Sequence, residues 1–298
     1  MSFLEVKNLG YTYQSGSPSR NAALNDVCAS FQKGDIIGVI GHTGSGKSTL
    51  MQCLNGLIKP TTGTVILNGA DIWENPKEIR RVRFKVGLVF QYPEYQLFEE
   101  TVFKDIAYGP QNMGLGEEEI RERVIKSSQL VGLKEDLLAK SPFDLSGGEK
   151  RRVAIAGVLS MEPECLILDE PTAGLDPQGR RLIVELIQKY RERTGALVLV
   201  VSHNMEDMAV ICDKLLVMNN GEVFNFGTVR EVFSDAEGIA EIGLDVPAVT
   251  DIAIKLKKLG VDVGTDIFTI EEMIKRLSAL AAKSSKLSAR SKGGADDE

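Results

Sequence analysis

The chain is poor in the residues that most often hold metal ions. Of its 298 residues only two are histidine, His42 and His203, and four are cysteine. Cys28, Cys53, Cys165 and Cys212 show no C-x-x-C spacing and lie in apolar surroundings. That excludes a cysteine-rich zinc site or a disulfide framework, and the thiols read as reduced core residues of a cytosolic protein. Long apolar runs are missing too. The longest, such as 196–201, span about six residues, whereas a membrane-crossing helix needs about twenty. The first residues, Met1-Ser2-Phe3-Leu4-Glu5, lack a basic segment followed by an apolar one, so no signal peptide is expected. Positive charge is not in excess: the net charge is -7, which weighs against nucleic acid as the main partner. Internal repeats are absent. What remains is an ordinary 43% hydrophobic content, enough for a sizeable core in one large domain or two smaller ones.

Against that plain background one stretch is informative: Gly41-His42-Thr43-Gly44-Ser45-Gly46-Lys47-Ser48-Thr49. It fits G-x-x-x-x-G-K-[ST], with a short apolar strand before it (36–40) and a helical pattern after it (48–57). Glycines let backbone N–H groups turn inward around phosphate oxygens, and the helix directs its positive end at the same anion. In such a loop Lys47 reaches the β- and γ-phosphates and Ser48 ligates Mg²⁺.

The segments before the loop read as strands. Phe3-Leu4-Glu5-Val6-Lys7 alternates apolar and charged residues, Tyr11-Thr12-Tyr13 follows, and after a Ser-, Gly- and Pro-rich loop at 14–21 residues 24–31 form another strand. The two tyrosines can stack on a base or simply pack on a sheet. Beyond the phosphate loop come strands at 64–67 and 86–90, with a short basic helix at 76–83 between them. Gln91 ends the second strand and opens a loop mixing Tyr92, Tyr95, Leu97 and Phe98 with Glu94, Glu99 and Glu100. Such a loop is either a contact surface or one that tucks its aromatics under itself. Residues 101–138 are helical in pattern, broken at Gly109, Pro110, Gly114 and Gly116.

Leu145-Ser146-Gly147-Gly148-Glu149 then precedes a helix at 150–160, a second ready-made anion site at a helix start. Residues 165–168 form a buried strand that ends in Asp169-Glu170. One acid there suits Mg²⁺, and the next is placed to polarise a water. A charged-faced helix at 178–193 leads to the wholly apolar strand 197–201, which reads as central and parallel and ends in Ser202-His203, where ligands bind in such sheets. A hairpin follows, 214–218 and 222–226, around Asn219-Asn220-Gly221. Thr228-Val229-Arg230-Glu231 and Thr269-Ile270-Glu271-Glu272 both fit the helix-start capping box. They suggest a small, mostly helical appendix. Residues 282–298, rich in Ser, Lys, Gly and Asp, read as disordered.

Phosphate loop, Gln91, Leu145 to Glu149, Asp169-Glu170 and His203 together resemble the ATP-binding-cassette ATPases over about 3–228. By that resemblance Gln91 corresponds to the Q-loop, Leu145–Glu149 to the signature motif, and Ala173-Gly174-Leu175-Asp176 to the D-loop. Asp169 corresponds to the Walker B acid, Glu170 to the catalytic base, His203 to the switch histidine and Tyr13 to the adenine-stacking aromatic. Glu149 departs from the family's commoner glutamine. Phe90-Gln91-Tyr92-Pro93-Glu94-Tyr95-Gln96-Leu97-Phe98, Arg151 to Gly157 and the stretch from Gly227 to about Leu280 are most like the second type of A subunit of energy-coupling factor transporters, which import vitamins or transition-metal ions.

The resemblance implies an α/β fold: a P-loop NTPase cassette with a mostly parallel core sheet, an N-terminal antiparallel β subdomain and a helical insertion at about 92–160. The cassette would occupy 1–230, the helical appendix 231–281 and the tail 282–298. It implies ATP and Mg²⁺, with Gly41, Gly44, Ser45, Gly46, Lys47, Ser48 and Thr49 on the phosphates, and Ser48, Gln91 and Asp169 toward the metal. Ser146 and Gly148 serve the nucleotide of a second cassette, packed head to tail, and Asp176 of the D-loop belongs to the nucleotide-binding set as well. Further partners are a transmembrane coupling subunit and a separate substrate-binding membrane subunit, which place the chain peripherally at the cytoplasmic face of the cell membrane. In the family a basic coupling helix docks near Gln91 to Asp105, so Glu94 or Glu99 is expected to receive its arginine. The alternatives are the ATPase of another importer of the same core, or a soluble cassette protein acting on ribosomes or DNA.

Overall fold

The computed structural model describes residues 2–13 and 21–292 and divides the chain into two compact units. One is Met1–His203 with Ile211–Phe226, the other Asn204–Val210 with Gly227–Glu298. The Ser-, Gly- and Pro-rich segment 14–20 and residues 293–298 lie outside the described residues.

In chain order the elements begin with β1 (Leu4–Tyr13), β2 (Asn21–Phe31), β3 (Ile36–Ile40), α1 (Lys47–Leu54), β4 (Thr62–Leu67), β5 (Ala70–Asp71), α2 (Ile79–Lys85) and β6 (Val86–Val89). The middle of the chain is helical: α3 (Val102–Asn112), α4 (Glu117–Leu130) and α5 (Gly147–Leu159). Then follow β7 (Cys165–Asp169), α6 (Pro177–Thr194), β8 (Leu197–Val201), α7 (Met205–Ile211), β9 (Lys214–Asn219) and β10 (Glu222–Thr228).

The strands make two sheets. A six-stranded sheet has the order β10-β9-β3-β8-β7-β6, and its pairs β9–β3, β3–β8, β8–β7 and β7–β6 are all parallel. A four-stranded antiparallel sheet has the order β2-β1-β4-β5. Every residue of β3 and β8 is buried, as expected for strands covered on both faces, and this is why their sequences are unbroken apolar runs. One apolar cluster, including Leu4, Phe31, Ile37, Leu50, Leu199 and Leu216, joins both sheets to α1. Each such side chain contributes about 1.5–3 kcal/mol by leaving water.

The two N-terminal strand signals, 3–7 and 11–13, belong to one strand. Asn8 takes a left-handed φ of 48°, and the pairing with β2 shifts register between Val6 and Leu9. A bulge of this kind interrupts the apolar alternation without ending the strand. Its neighbour Cys28 is exposed and its thiol accepts a hydrogen bond from the Asn8 N–H. The expectation of four core thiols therefore holds for Cys53 and Cys165 but not for Cys28. Burial pushes the Cys53 thiol up to about 12.

In the helical insertion α3 and α5 pack closely. Ser160, the residue that ends α5, donates to the Ile106 carbonyl of α3 at 2.8 Å, and a Cβ on Gly157 would touch the Asp105 backbone of α3.

The second unit contains most of α7, together with α8 (Val229–Ser234), α9 (Ala236–Glu241), α10 (Ala248–Lys258) and α11 (Ile270–Lys292). Thr228 and Glu231 form the full capping box of α8. At α11 Thr269 accepts from the Glu272 N–H, but Glu272 reaches back to the Phe268 N–H instead. Ala253, Val263, Ile267 and Met273 form a small core, and Asp266 pairs with both Arg230 and Arg276. Helix α11 continues through 282–292, which composition reads as unstructured. Ala282, Lys283, Leu287 and Ala289 are good helix formers, and propensity extends a helix beyond its packed face. Among the described residues no helix is long and apolar enough to cross a membrane.

Candidate active site

The carboxyl ends of β3, β7 and β8 bring the predicted residues together. The loop after β3 is tightly held. A Cβ on Gly41 would strike the Met218 carbonyl oxygen, and one on Gly46, at φ +100°, would strike the Ala23 carbonyl oxygen, so only glycine fits either position. Ser45 is fully buried and its N–H donates to His42 O at 3.1 Å. Lys47 folds over the loop and donates to the carbonyl oxygens of Gly41 (2.6 Å) and His42 (2.9 Å). Burial lowers its pKa below the ordinary lysine value, and the charges of Glu170 and Asp169 restore part of the loss.

Asp169 ends β7. Its carboxylate accepts from Ser48 Oγ at 3.2 Å. Burial holds this carboxyl above the usual range; the Ser48 bond pulls it down and the Glu170 charge pushes it up. A hydroxyl and a partly desolvated carboxylate beside a phosphate loop are hard oxygen donors that suit Mg²⁺, whose shell is completed by phosphates and water. Among the described residues no group of three or more His, Cys, Asp or Glu is arranged to hold a metal ion by itself, so such an ion would depend on substrate phosphates.

Glu170 leaves the strand in a left-handed conformation, φ 50°, with its N–H on Val201 O at 2.9 Å. For a residue with a side chain this costs about 1 kcal/mol. It turns the carboxylate toward His203, whose Nδ1 lies 2.8 Å from Glu170 Oε1. A carboxylate only accepts, so Nδ1 donates. The Glu170 side chain is 12% exposed and that of His203 77%. The acid is sheltered and its partner faces outward, so a water beside Glu170 can lose a proton to it.

The remaining predicted residues surround this centre. Tyr13, at the end of β1, has its hydroxyl 3.2 Å from Thr49 Oγ1 and its ring edge-on to Tyr11 at 4.8 Å. Gln91 is exposed just beyond β6. Ser146 caps α5, Gly148 lies in its first turn, and Asp176 caps α6 through the Gly179 N–H at 2.7 Å. No hydrogen bond or ion pair joins Ser146, Gly148 or Asp176 to the phosphate loop among the described residues. A cleft of about 650 Å³ lined by Gly148, Arg152 and Asp176 likewise includes none of Lys47, Glu170 and His203. The candidate chemistry follows the side chains rather than this cleft.

Three features escape a reading of the sequence. The β9–β10 turn braces the phosphate loop: Asn219 Oδ1 lies 3.1 Å from His42 Nε2, and the Gly221 N–H donates to Ser45 O at 3.0 Å. Only the Asn-Gly turn itself is visible in the sequence. Glu149 completes the capping box that Ser146-x-x-Glu149 spells, accepting from the Ser146 N–H at 2.9 Å, but its carboxylate also takes the Ser146 O–H at 2.6 Å, which that pattern does not foretell. Of the acids after Gln91, Glu94 is already paired with Arg151, Glu100 with Lys104, and Asp105 accepts from the N–H groups of Phe98 and Glu99. Glu94 is therefore not the rim acid the sequence suggested. Glu99, whose carboxylate makes no ion pair among the described residues, remains. Next to Phe98 a groove of about 350 Å³ has Phe84, Leu97, Phe98, Tyr108 and Met161 in its lining together with the charged Arg80, Arg83 and Asp105.

Residues 24–173 match the ABC transporter family. The chain is 53% identical over 269 residues to the energy-coupling factor transporter ATP-binding protein EcfA2 of Caldanaerobacter subterraneus, covering 90% of this chain and 94% of that one. It is 51% identical over 270 residues to the EcfA2 of Clostridium perfringens, covering 90% and 95%. Among solved structures, cbiO1 of Clostridium perfringens, part of the ABC transporter complex cbiONQ, superposes with a TM-score of 0.71 at 37% identity, covering 87% of this chain and 97% of that one. The ATP-binding cassette MJ0796, a dimer in a post-hydrolysis state bound to ADP and Pi, gives 0.69 at 29% identity, covering 76% and 99%. The chain thus belongs to the ABC transporter family, as an ATP-binding and ATP-hydrolysing cassette of the A2 type of energy-coupling factor transporters.

Proposed function

We propose that this cassette packs head to tail with a second, homologous cassette and hydrolyses ATP at their shared interface. The work would drive a transmembrane coupling subunit that serves a separate substrate-binding subunit, importing vitamins or transition-metal ions. The chain would then sit peripherally on the cytoplasmic face of the membrane. The observation that carries this reading is the 2.8 Å bond between His203 and Glu170 beside the Ser48–Asp169 pair.

In the reaction a water attacks the γ-phosphorus. Its proton passes to Glu170, the bond to the β–γ bridging oxygen breaks, and ADP and phosphate result. His203 holds the Glu170 carboxylate toward the water through its Nδ1–H. Lys47 and the N–H groups of Gly44, Gly46, Ser48 and Thr49 would donate to the phosphate oxygens, while the Ser45 N–H, taken by the His42 carbonyl, holds the loop in shape. Ser48, Asp169 and Gln91 would hold Mg²⁺, which when bound offsets charge on the β- and γ-phosphates. Tyr13 would stack on the adenine, its hydroxyl anchored on Thr49. Ser146 and Gly148 would meet the γ-phosphate of the partner's nucleotide, with Asp176 beside them. The groove, apolar at its floor and carrying Arg80, Arg83 and Asp105 in its wall, would receive an amphipathic helix of the coupling subunit, with a basic residue of that helix reaching Glu99 just outside it.

The test is Glu170→Gln in the assembled complex. Phosphate release is expected to fall by about two orders of magnitude or more, with ATP binding kept. Turnover within about threefold of wild type would remove Glu170 from the role of base.

A further inference from the structure

A buried charge network ties together three segments that the proposed mechanism uses separately. Arg151, in the second turn of α5, is 4% exposed. Its Nε donates to Glu94 Oε2 at 3.1 Å and its Nη2 to Glu94 Oε1 at 3.3 Å, a two-pronged fork. Its Nη1 donates to the Ala173 carbonyl at 2.7 Å, and its guanidinium carbon lies 6.0 Å from the centre of the Tyr92 ring. Glu94 belongs to the single helical turn Pro93–Gln96, directly after Tyr92, which takes φ 54° and ψ 56°. One side chain therefore touches the turn after Gln91, the loop from Ala173 to Asp176, and the helix that begins at Ser146.

Stability alone is a poor reason for such a group. Buried ion pairs lose in desolvation about what they gain by attraction, and apolar side chains of similar volume often do as well. What a guanidinium fork supplies is direction: both carboxylate oxygens and a carbonyl are held at fixed angles, which an ammonium cannot do. The ring of Tyr92 adds a fourth wall to the guanidinium.

We propose that Arg151 is a positioning residue that makes the two ends of one cassette move as one body, so that the state of its own nucleotide, met by Gln91, sets the placement of Ser146 and Gly148 on the partner's nucleotide. The inference rests on the head-to-tail reading above. Gln91 and Ser146 serve different nucleotides in that arrangement, and Arg151 is the rigid link between them. The carbonyl of Ala173 brings the loop ending at Asp176 under the same control.

The test uses the full chain in its assembled complex and measures hydrolysis against ATP concentration, nucleotide binding and melting temperature. Arg151→Lys keeps the charge but not the fork. It is expected to leave melting and nucleotide binding near wild type, lower kcat by about tenfold, the low end of the range for lost positioning, and reduce the Hill coefficient from near 2 toward 1. Glu94→Gln should lower kcat and the Hill coefficient likewise, with a lower melting temperature because buried Arg151 loses its counter-charge. Glu94→Gln with Arg151→Gln should be no worse than the poorer single change, because the pair acts as a unit. Should Glu94→Gln misfold around its unpaired guanidinium, the neutral double variant carries the test alone. Unchanged cooperativity in Arg151→Lys or in the double variant overturns the proposal, as do losses that multiply. A purely structural pair would lower melting and leave cooperativity intact. Ser146→Arg separates the two layers. If it abolishes cooperativity while Arg151→Lys does not, only the link fails; if Ser146→Arg, or the wild type itself, shows hydrolysis independent of the partner site, the head-to-tail reading fails.

Discussion

Replacing Glu149 by glutamine should make ATP-driven closure of the cassette pair easier. Its Oε2 already takes the Ser146 O–H at 2.6 Å and the Ser146 N–H at 2.9 Å. Those bonds to Ser146 hold the Glu149 carboxyl below the usual range, so it is ionised at neutral pH. A partner γ-phosphate bound to Ser146 Oγ would sit about 2.7 Å from that oxygen. That places it about 5 Å from the carboxylate. Two unit charges at about 5 Å repel by about 0.8 kcal/mol in water and about 3 kcal/mol at the dielectric of a protein surface. Closure removes water only in part, so about 1–2 kcal/mol is the working figure, or about five- to thirtyfold in ATP. Glutamine keeps the capping bond to the Ser146 N–H, so the helix start survives. The measurement is the ATP concentration for half-maximal closure, by sedimentation in a Glu170→Gln background. The advantage should shrink as salt rises. An unchanged or higher ATP requirement in Glu149→Gln would mean that Ser146 does not face an anion.

Three further outcomes follow from the charges. A carboxyl with a raised folded pKa adds stability that is fully present below the ordinary 3.8 of Asp169 and is lost as pH rises through the raised value. At neutral pH the ionised Asp169 thus destabilises the nucleotide-free chain. Asp169→Asn should raise its melting temperature by about 2 °C while removing Mg²⁺-dependent hydrolysis, and a lower melting temperature would contradict the argument. Beside the groove, Glu99→Lys should cut recovery of the membrane complex by about tenfold and spare hydrolysis by the isolated cassettes, whereas Glu94→Lys should damage the cassette itself by setting an ammonium against buried Arg151. Full assembly with Glu99→Lys would put the docking site elsewhere.

The parts of the site legible in the sequence are those whose chemistry is local. Gly41 through Thr49, Asp169-Glu170 and Ser202-His203 each declare themselves by spacing or by their place at the end of an apolar run. Pairings across the fold do not. Glu94 looks like a rim acid because its partner is 57 residues away, and Asn219 looks like a turn residue because His42 is 177 residues away. Ser146 and Glu149 spell the same capping box as Thr228 and Glu231, which foretells the bond to the Ser146 N–H but not that the carboxylate also takes the Ser146 hydroxyl. The bulge at Asn8 hides one strand as two, since it breaks the alternation by which a half-buried strand is read.

The braced phosphate loop has a kinetic consequence. Gly221 donates to Ser45 O while its own carbonyl accepts from the Asn25 N–H, and Asn219 holds His42. The loop is thereby stitched to β2 and to the β9–β10 turn before any phosphate arrives. Fixing a free backbone costs about 1–2 kcal/mol per residue, and here the fold itself has met that cost. The backbone of the loop acts as a mould rather than a flap: what must still move when a polyphosphate arrives is the Lys47 ammonium, which has to leave the carbonyls of Gly41 and His42, together with Gln91 and the segments beyond it.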